Sequence, residues 1–569
     1  MKNLETIPER LQHLSEKDPD KELYIFYNCG VRDAYTCREL FTLGGRFAYR
    51  LHQLGFQKGD VIANTLANSP ERLVTDVGIV MAGCIALNGQ VLLADGSDFF
   101  HSAKMSRSRA VIMADEGPAW QLMNTFISDD VRDGWLSPLA VSEAPELKSA
   151  IVVSRRGKSF LQELKTGTQP TFLSPSEPDD ILMVMTTSGS TGYCKLVPRT
   201  HRDTISKSVH QADEMSAGVE WAQSTDKKYI FYSDRMLGWS GGCSFYSICQ
   251  ADTRVMLDQF SSSSSRDKAS ELWEAVEAEQ CQTCVFVAQE MENVRESLQK
   301  SGGPKKKLNT VIIGGQPCRK RQIQSAFCLA ENVYTLYAST EAYPISSIHL
   351  KDANYESNNC GRVVKGMFVK VCRDNGELCE TNETGTIYIK GQYLFPGYFN
   401  QLENPNPQNR NAFTADGWFN TEDYGHFNEH GELFVFGRIK DIITYGSSVF
   451  YPGWLEKKLV EHSDIQEAVI VPVTDPVLYQ NVCACIRLRQ SSDLDLDKLK
   501  DYCDAIFLAD VSVSLTPKPK YFIIMKEEFP YTSTGKPDKQ LLKRRAEELF
   551  GYSGKTTKLQ AQNNKLDDL

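Results

Sequence analysis

With 569 residues the chain is too long for a single hydrophobic core, and at least two domains are expected. Hydrophobic residues make up 41% and charged residues 24%, an ordinary globular balance. The net charge of -10 and a pI near 5.6 argue against nucleic acid or an anionic membrane as a partner.

The start, "MKNLETIPER", puts charges where a signal peptide needs an apolar segment, and the end, "KLDDL", matches no peroxisomal or retention signal. The most apolar run, "VGIVMAGCIAL" at 77–87, is too short to span a bilayer, so no membrane span is expected. The 16 cysteines are expected as reduced thiols, and a cytoplasmic location follows as the expectation.

Taken in chain order, "ERLVTDVGIVMAG" from Glu71 carries leucine and valine on one face and predicts a helix ended by Gly83. "CIALNGQVLL" predicts a buried strand and turn. "SRAVIMAD" and "KKLNTVIIGGQP" are short apolar runs that end in polar residues or glycine, as strands feeding loops do. Five serines at 261–265 predict a flexible surface loop, and "DKASELWEAVEAEQ" after them an amphipathic helix. Cys281 and Cys284 form a lone C-x-x-C followed by Val285, Phe286 and Val287. A strand start with two core thiols is expected there rather than zinc.

This alternation of helix and strand favours an α/β fold. From about residue 359 short strands dominate: "FVKVCRDNGELC", "ETGTIYIKG" and "GELFVFGR". The Asn375–Gly376 pair is a hairpin signal. The expectation is a layered α/β domain over 1–438 with a β subdomain at 359–436. A small, mobile α+β domain over 439–552 and a disordered tail at 553–569 complete it. In the small domain "PGWLEKKLVEHSDIQEAVIVPV" reads as helix then strand, and "KPKYFIIMKEEFP" as a strand.

The stretch "MTTSGSTGYCKLVPRTH" at 185–201 is unlike any core element. Positions 186–192 are all glycine or small hydroxyl residues, Lys195 follows, and Arg199 and His201 add a cationic pair. Glycines and hydroxyls let donors approach an anion, and a lysine supplies the point charge that phosphate oxygens need. The apolar "ILMVM" before the loop makes it a strand-to-loop transition, where α/β proteins place ligands. A flexible linker would not be bracketed in this way. A Walker P-loop fails on spacing, because Lys195 lies three residues after Gly192 and precedes leucine.

"TTSGSTGYCK" resembles the phosphate-binding signature of the acyl-adenylate-forming enzymes, among them acyl-CoA synthetases, aryl-acid ligases, luciferases and nonribosomal adenylation domains. "KLVPRTH" is similar to its continuation in aryl-acid ligases. Four further motifs follow in family order: "YASTEA" at 337–342, "GWFNTEDYG" at 417–425, "GRIKDIITYGSSVFYPGWLE" at 437–456 and "PYTSTGKPDKQLL" at 530–542. The resemblance covers nearly the whole chain.

It implies that ATP is a substrate, that Mg2+ is required, and that a small carboxylic acid is activated as an acyl-adenylate. Thr187, Ser188, Gly189, Ser190, Thr191, Gly192 and Lys195 would take the leaving phosphates. Glu341 would be the metal ligand and Thr340 a phosphate donor. Tyr337, Ala338 and Ser339 would face adenine, with Gly314, Gly315 and Gln316 as the other wall. Asp423 and Arg438 would hold the ribose, and Lys536 would bridge the carboxylate and the α-phosphate. Lys440 would be the hinge, Gly446 and Ser447 the loop of the thiol step, and Arg235, Trp239 and Gly242 part of the acyl pocket.

Departures from the family pattern fall at Cys194, Leu196, Glu422, Ala338, Ser447 and Trp454, and at Asp234 and Arg235, where relatives carry an aromatic-histidine pair. Arg235 is expected to pair with Asp234 unless it meets a polar substrate group.

The expected activity is that of an AMP-forming acid–thiol ligase using CoA, with an aryl or short-to-medium-chain acid. Transfer to a separate carrier protein or a luciferase-like oxidation is the alternative. Two readings from other classes are a non-catalytic adenylate-binding relative and a serine hydrolase. The latter rests on "GWSGG" at 238–242, which fits a nucleophile elbow but also the start of a helix lining the acyl pocket.

Overall fold

A computed structural model describes residues 5–551 apart from 90, 92–94, 128–135, 157–158, 188–193, 226, 261–266, 301, 316–317, 403–405, 407, 442, 446–447, 451, 477–478, 491, 508–517, 526 and 533–535. The serine run and the tail after 552 therefore lie outside the described residues. So do Ser188, Gly189, Ser190, Thr191, Gly192, Gln316, Gly446 and Ser447. By its contacts the chain divides into two compact units. One is Met1–Thr421 with Gly425–Val435, the other Glu422–Tyr424 with Phe436–Leu569.

The first unit is α/β, as the alternation predicts. A seven-stranded sheet runs in the order Leu136–Pro138, Ser149–Val153, Ala110–Ala114, Val61–Asn64, Ile85–Asn88, Ile181–Thr186, Leu196–Thr200. Its two outer pairs are antiparallel and the rest parallel. A nine-stranded sheet runs Arg362–Val363, Ser346–Leu350, Ala330–Tyr337, Leu308–Ile313, Thr283–Phe286, Ile230–Ser233, Thr253–Leu257, Glu22–Asn28, Val31–Thr36. It is parallel from Ala330–Tyr337 through Glu22–Asn28. A four-stranded sheet holds Met367–Cys372, Gly385–Gly391, Phe419–Phe427 and Leu433–Arg438. Asn375–Gly376 makes the expected turn in it, with Gly376 at a φ of 87°.

The helix Pro70–Met81 is started by the Ser69 side chain and by proline in its first turn, and all of its residues are buried. It lies against Cys37–Gln53 so closely that a Cβ on Gly78 would meet the Phe47 ring at 2.6 Å. Buried within it, Arg72 bonds Asp76 at 2.9 Å and the carbonyls of Asn64 and Leu66 at 2.8 and 3.0 Å. Asp76 also accepts from Asn64 at 2.8 Å and from Ser244 at 2.6 Å. Two strand ends, one helix and the segment before Tyr246–Gln250 meet on this one ion pair.

His201 is buried at the start of the helix His201–Glu214, and its Nδ1 accepts the Ile7 N–H at 3.2 Å. Burial pushes its pKa down to about 4, against the opposing charges of Asp180 and Glu9. The expected cationic pair is thus corrected: His201 is a neutral structural acceptor, and Arg199 alone carries charge.

Cys281 and Cys284 are buried core thiols where the strand Thr283–Phe286 begins, as expected. The exposed cysteines are Cys29 and Cys328, while Cys194 and Cys379 are half-buried.

The second unit carries a sheet ordered Ser448–Phe450, Ile443–Tyr445, Tyr479–Leu488, Ile465–Asp475, with Tyr521–Met525 parallel to Tyr479–Leu488. Ala468 and Ile470 pack with Leu455, Leu459, Leu499 and Cys503, while Val469 and Val471 pack with Leu542 and Ala546. Helices cover both faces of this strand, which is why it reads as an unbroken apolar run rather than an alternating one. No described helix in either unit is long and apolar enough to cross a membrane.

Two outcomes are expected from these features. Asp76→Ala strands the Arg72 guanidinium and should lower stability by about 3–5 kcal/mol in urea denaturation. His201 has a folded pKa below its unfolded value, so its contribution is complete above pH 6.5 and is lost as pH falls toward 4. Between pH 7 and pH 5 the wild type should lose about 2 kcal/mol more than His201→Gln.

Candidate functional site

The parallel strands of the nine-stranded sheet end side by side, and the candidate residues follow their carboxyl ends. Ile230–Ser233 leads to Arg235, Trp239 and Gly242, Leu308–Ile313 to Gly314 and Gly315, and Ala330–Tyr337 to Ala338, Ser339, Thr340 and Glu341. Ile313 pairs with Thr335, so Gly314 and Gly315 stand beside Leu336 and Tyr337 on the neighbouring strand. This edge of a parallel sheet is where α/β proteins bind ligands.

Thr187 and Lys195 form the neck of the glycine-serine loop. The Thr187 N–H bonds the Lys195 carbonyl at 3.0 Å, and the Lys195 N–H bonds Thr187 Oγ1 at 3.2 Å. The antiparallel hairpin of Ile181–Thr186 and Leu196–Thr200 closes at this point, so a strand pair fixes where the loop begins and ends.

Lys195 Nζ lies 4.8 Å above the centre of the Tyr398 ring and 3.4 Å from its hydroxyl. That hydroxyl donates to Glu341 Oε1 at 2.8 Å. Lysine, tyrosine and glutamate therefore form one chain, with Tyr398 and Glu341 both buried. Tyr398 is itself anchored: its N–H bonds Asn409 at 2.8 Å, its carbonyl accepts from Asn406 at 3.1 Å, and its ring meets Phe395 edge-on. The Phe399 N–H bonds the Leu196 carbonyl at 2.7 Å, which ties this segment to the Lys195 strand.

The turn 339–342 is closed by the Ser339 N–H on the Ala342 carbonyl at 2.9 Å and the Ala342 N–H on the Ser339 hydroxyl at 3.1 Å. The Glu341 carbonyl accepts the Phe395 N–H at 2.9 Å. Arg199, almost fully buried, donates to the Thr340 carbonyl and to Ser240 Oγ at 3.4 Å.

In the second unit Arg438 Nε bonds Asp423 Oδ1 at 2.9 Å, which brings the two proposed ribose residues together. Glu422, where relatives of this pattern have glycine, holds the left-handed φ of 59° that glycine adopts without strain. Lys536 is exposed, its N–H on Thr532 Oγ1 at 3.3 Å and its carbonyl accepting the Thr532 N–H at 2.7 Å. Lys440 sits in the short turn Ile439–Asp441.

Two expectations are corrected at residues 234–244, the acyl segment, so called for the pocket that the resemblance implies. Arg235 pairs with Glu290 at 2.6 Å, not with Asp234, whose carboxylate accepts the Leu257 N–H at 2.9 Å. Burial pushes Glu290 up to about 7, against the charge of Arg235. The "GWSGG" stretch is neither a nucleophile elbow nor a helix start. It is a series of turns, and the helix Tyr246–Gln250 begins only later. Ser240 Oγ faces Arg199 and the Met185 sulfur at 3.5 Å, with no histidine among its described hydrogen-bond partners. Gly238 and Gly242 are demanded by packing. A Cβ on Gly238 would meet Asn88 Oδ1 at 2.1 Å and Arg72 Nη2 at 2.6 Å, and one on Gly242 the Arg235 carbonyl at 2.4 Å.

No group of three or more potential metal ligands occurs among the described residues. Glu341 nonetheless fits a hard cation held by one carboxylate, because Mg2+ keeps waters and substrate phosphates as its other ligands.

A family model for AMP-binding enzymes matches residues 11–399, and one for the AMP-binding enzyme C-terminal domain matches 455–536. The chain belongs to the AMP-binding enzyme family. Among similar AMP-binding enzymes, the 4-coumarate–CoA ligase 3 of Oryza sativa is 24% identical over 541 residues, covering 89% of each chain. The mitochondrial medium-chain acyl-CoA ligase ACSF2 of Danio rerio is 24% identical over 568 residues, covering 96% of this chain and 89% of that one. Two solved structures share the fold. ATP-bound MatB from Rhodopseudomonas palustris has a TM-score of 0.76 at 18% identity, covering 96% of this chain and 100% of that one. Bacillus subtilis MenE with ATP and magnesium has a TM-score of 0.73 at 19% identity, covering 94% and 99%.

Sequence reasoning missed Tyr398 and Arg254. Tyr398 sits in "FPGYFN", where the one local signal is Gly397, at a φ of 140° and against the Asn409 side chain. Arg254 is buried in the strand Thr253–Leu257 and donates to the carbonyls of Ser233, Arg235 and Gly242, folding the acyl segment. Tyr398→Phe keeps the ring packing but deprives Glu341 of a donor. It should lower stability by about 1–3 kcal/mol in urea denaturation.

Proposed function

We propose that this AMP-binding enzyme joins a carboxylic acid to ATP as an acyl-adenylate, with loss of pyrophosphate, and then transfers the acyl group to the thiol of CoA. The observation that carries this reading is the Lys195–Tyr398–Glu341 chain at the neck of the glycine-serine loop. It sets a cation and a carboxylate about one tyrosine hydroxyl, the pair needed to receive a polyphosphate with its metal. The names of the relatives, a 4-coumarate–CoA ligase and a medium-chain acyl-CoA ligase, support an aryl or short-to-medium-chain acid.

In the first half-reaction a carboxylate oxygen attacks the α-phosphorus and the bond to the β-phosphate oxygen breaks. Charge accumulates on the leaving pyrophosphate, and catalysis consists of positioning and charge stabilisation. Lys195 and Thr187 at the loop neck, with Ser188, Gly189, Ser190, Thr191 and Gly192 between them, take the β- and γ-phosphates. Glu341 would hold Mg2+, which when bound neutralises phosphate charge, and Thr340 donates to a phosphate oxygen. Tyr337 stacks on adenine against Gly314, Gly315 and Gln316. Asp423 accepts from the ribose hydroxyls while Arg438 holds its carboxylate.

Lys536 offsets the charge developing at the α-phosphate. In the second half-reaction the CoA sulfur attacks the acyl carbon and AMP leaves. The small domain, 439–552, turns about Lys440 for this step and brings Gly446 and Ser447 to the thiol. Arg235, Trp239 and Gly242 belong to the acyl pocket, where the Arg235–Glu290 pair presents a neutralised polar wall.

The first test is pyrophosphate release over a panel of aryl, fatty and dicarboxylic acids, with and without CoA. Lys195→Ala and Glu341→Gln should each slow adenylation by the equivalent of about 3–4 kcal/mol. Unchanged turnover in both variants sinks the phosphate assignment. Lys536→Ala should lose most of the acid-plus-ATP reaction yet still convert a supplied acyl-adenylate and CoA to thioester. Lys440→Pro, its φ fixed near -65°, should do the reverse. Equal loss of both half-reactions in the two folded variants rules out rotation about this hinge. Adenylate without thioester from any acid in the wild type leaves a carrier-protein thiol as the acceptor to test.

A further inference from the structure

Resting on the adenylation reading above, we propose that Arg199 is a positioning residue of the phosphate site, acting through the Thr340 carbonyl to set the direction of Glu341. The strand Leu196–Thr200 carries this arginine four residues after Lys195, and its side chain is 3% exposed. The guanidinium joins three separate parts of the first unit: Asp203 on the helix His201–Glu214 at 3.0 Å, Ser240 in the acyl segment at 3.4 Å, and the Thr340 carbonyl.

The charge arrangement explains why it reaches that carbonyl. Asp203 spends its second oxygen on Lys207, whose Nζ lies 3.1 Å away and is almost fully buried. One carboxylate thus faces two buried basic groups. Burial, and then the charge of Arg199, push Lys207 down to about 7. A buried guanidinium that shares its carboxylate with a second basic group needs further acceptors, and the peptide oxygen before Glu341 is one.

The consequence for Glu341 is geometric. A trans peptide is planar, so fixing the Thr340 carbonyl on Arg199 directs the Glu341 N–H to the opposite side. The Glu341 carbonyl is held by the Phe395 N–H at 2.9 Å, and its carboxylate by Tyr398 at 2.8 Å. Peptide, carbonyl and carboxylate are each pinned by a different segment. Among these three described contacts, the one from Arg199 carries positive charge. Its described hydrogen bonds go to protein groups, Asp203, Ser240 and the Thr340 carbonyl. Its effect reaches the reaction through where Glu341 points.

The test uses the full-length protein, with Mn2+ as a paramagnetic substitute for Mg2+. Arg199→Met, Arg199→Lys and Asp203→Asn are compared with wild type in three readouts: thermal unfolding, acid-dependent exchange of pyrophosphate into ATP with the best acid of the panel, and Mn2+ binding to the ATP-loaded protein by electron paramagnetic resonance. Folded Arg199→Met should lose about 10- to 100-fold in kcat, as loss of a group that orients a metal ligand does, with the KM for the acid unchanged. Its half-saturating Mg2+ concentration should rise and its Mn2+ affinity fall by a similar factor. Arg199→Lys should recover part of both, and Asp203→Asn should shift both in the same direction by less.

A folded Arg199→Met with wild-type kcat and metal dependence overturns the proposal. If Arg199→Met does not fold, wild-type metal dependence in Asp203→Asn overturns it instead. A wild type that exchanges no pyrophosphate with any acid overturns the adenylation reading. The Mn2+ arm then decides the positioning role on its own: weaker binding in Arg199→Met supports it, and equal binding, or none in the wild type, refutes it.

Discussion

The buried pair of Arg72 and Asp76 is the constraint on which the first unit depends. Neither group can be hydrated where it lies, so each must satisfy its donors and acceptors from the surrounding chain. Arg72 does so with the carbonyls at the end of Val61–Asn64 and with Asn88 at the end of Ile85–Asn88. Asp76 does so with Asn64 and with Ser244 from the acyl segment. The pair converts a demand for solvation into a fixed relation between two strand ends and a loop, and Gly238 is a glycine because the loop passes against the guanidinium.

The same logic recurs nearer the candidate site. Arg254 gathers the carbonyls of Ser233, Arg235 and Gly242, and Arg199 holds the Thr340 carbonyl just before Glu341. In each case a buried guanidinium, planar and always charged, orders irregular backbone that has no ladder to satisfy it. Loops fixed in this way at the ends of parallel strands suit the positioning that the proposed reaction demands.

Much of this was legible from sequence because periodicity and turn chemistry are local. The helix at 70–81, the strands at 110–114 and 308–313 and the hairpin at Asn375–Gly376 all follow from residues within a few positions of one another. The family motifs were legible for the same reason. What was not legible depends on partners far apart in the chain. Tyr398 meets Glu341 across 57 positions, and Arg235 finds Glu290 across 55 rather than its neighbour Asp234, which turns to the Leu257 amide. His201 looked cationic beside Arg199, yet its role is set by an amide 194 positions earlier. "GWSGG" matched a catalytic pattern because glycines required for close packing and glycines required for a strained elbow are the same letter.

The cysteines give the molecule a chemical map that was not evident from their number. Most of these thiols are sealed in the core, where burial holds them protonated and inert to alkylation. Cys29 and Cys328 face solvent, far apart in sequence, whereas Cys194 stands half-covered beside Lys195 with its sulfur 2.9 Å from the Ser102 hydroxyl. A thiol reagent therefore meets two open positions, Cys29 and Cys328, and two half-covered ones, Cys194 and Cys379. On the adenylation reading proposed above, the rate at which Cys194 is labelled, set against Cys29 and Cys328 as internal standards, would report whether nucleotide is bound beside Lys195, readable by mass spectrometry without knowing which acid the protein uses.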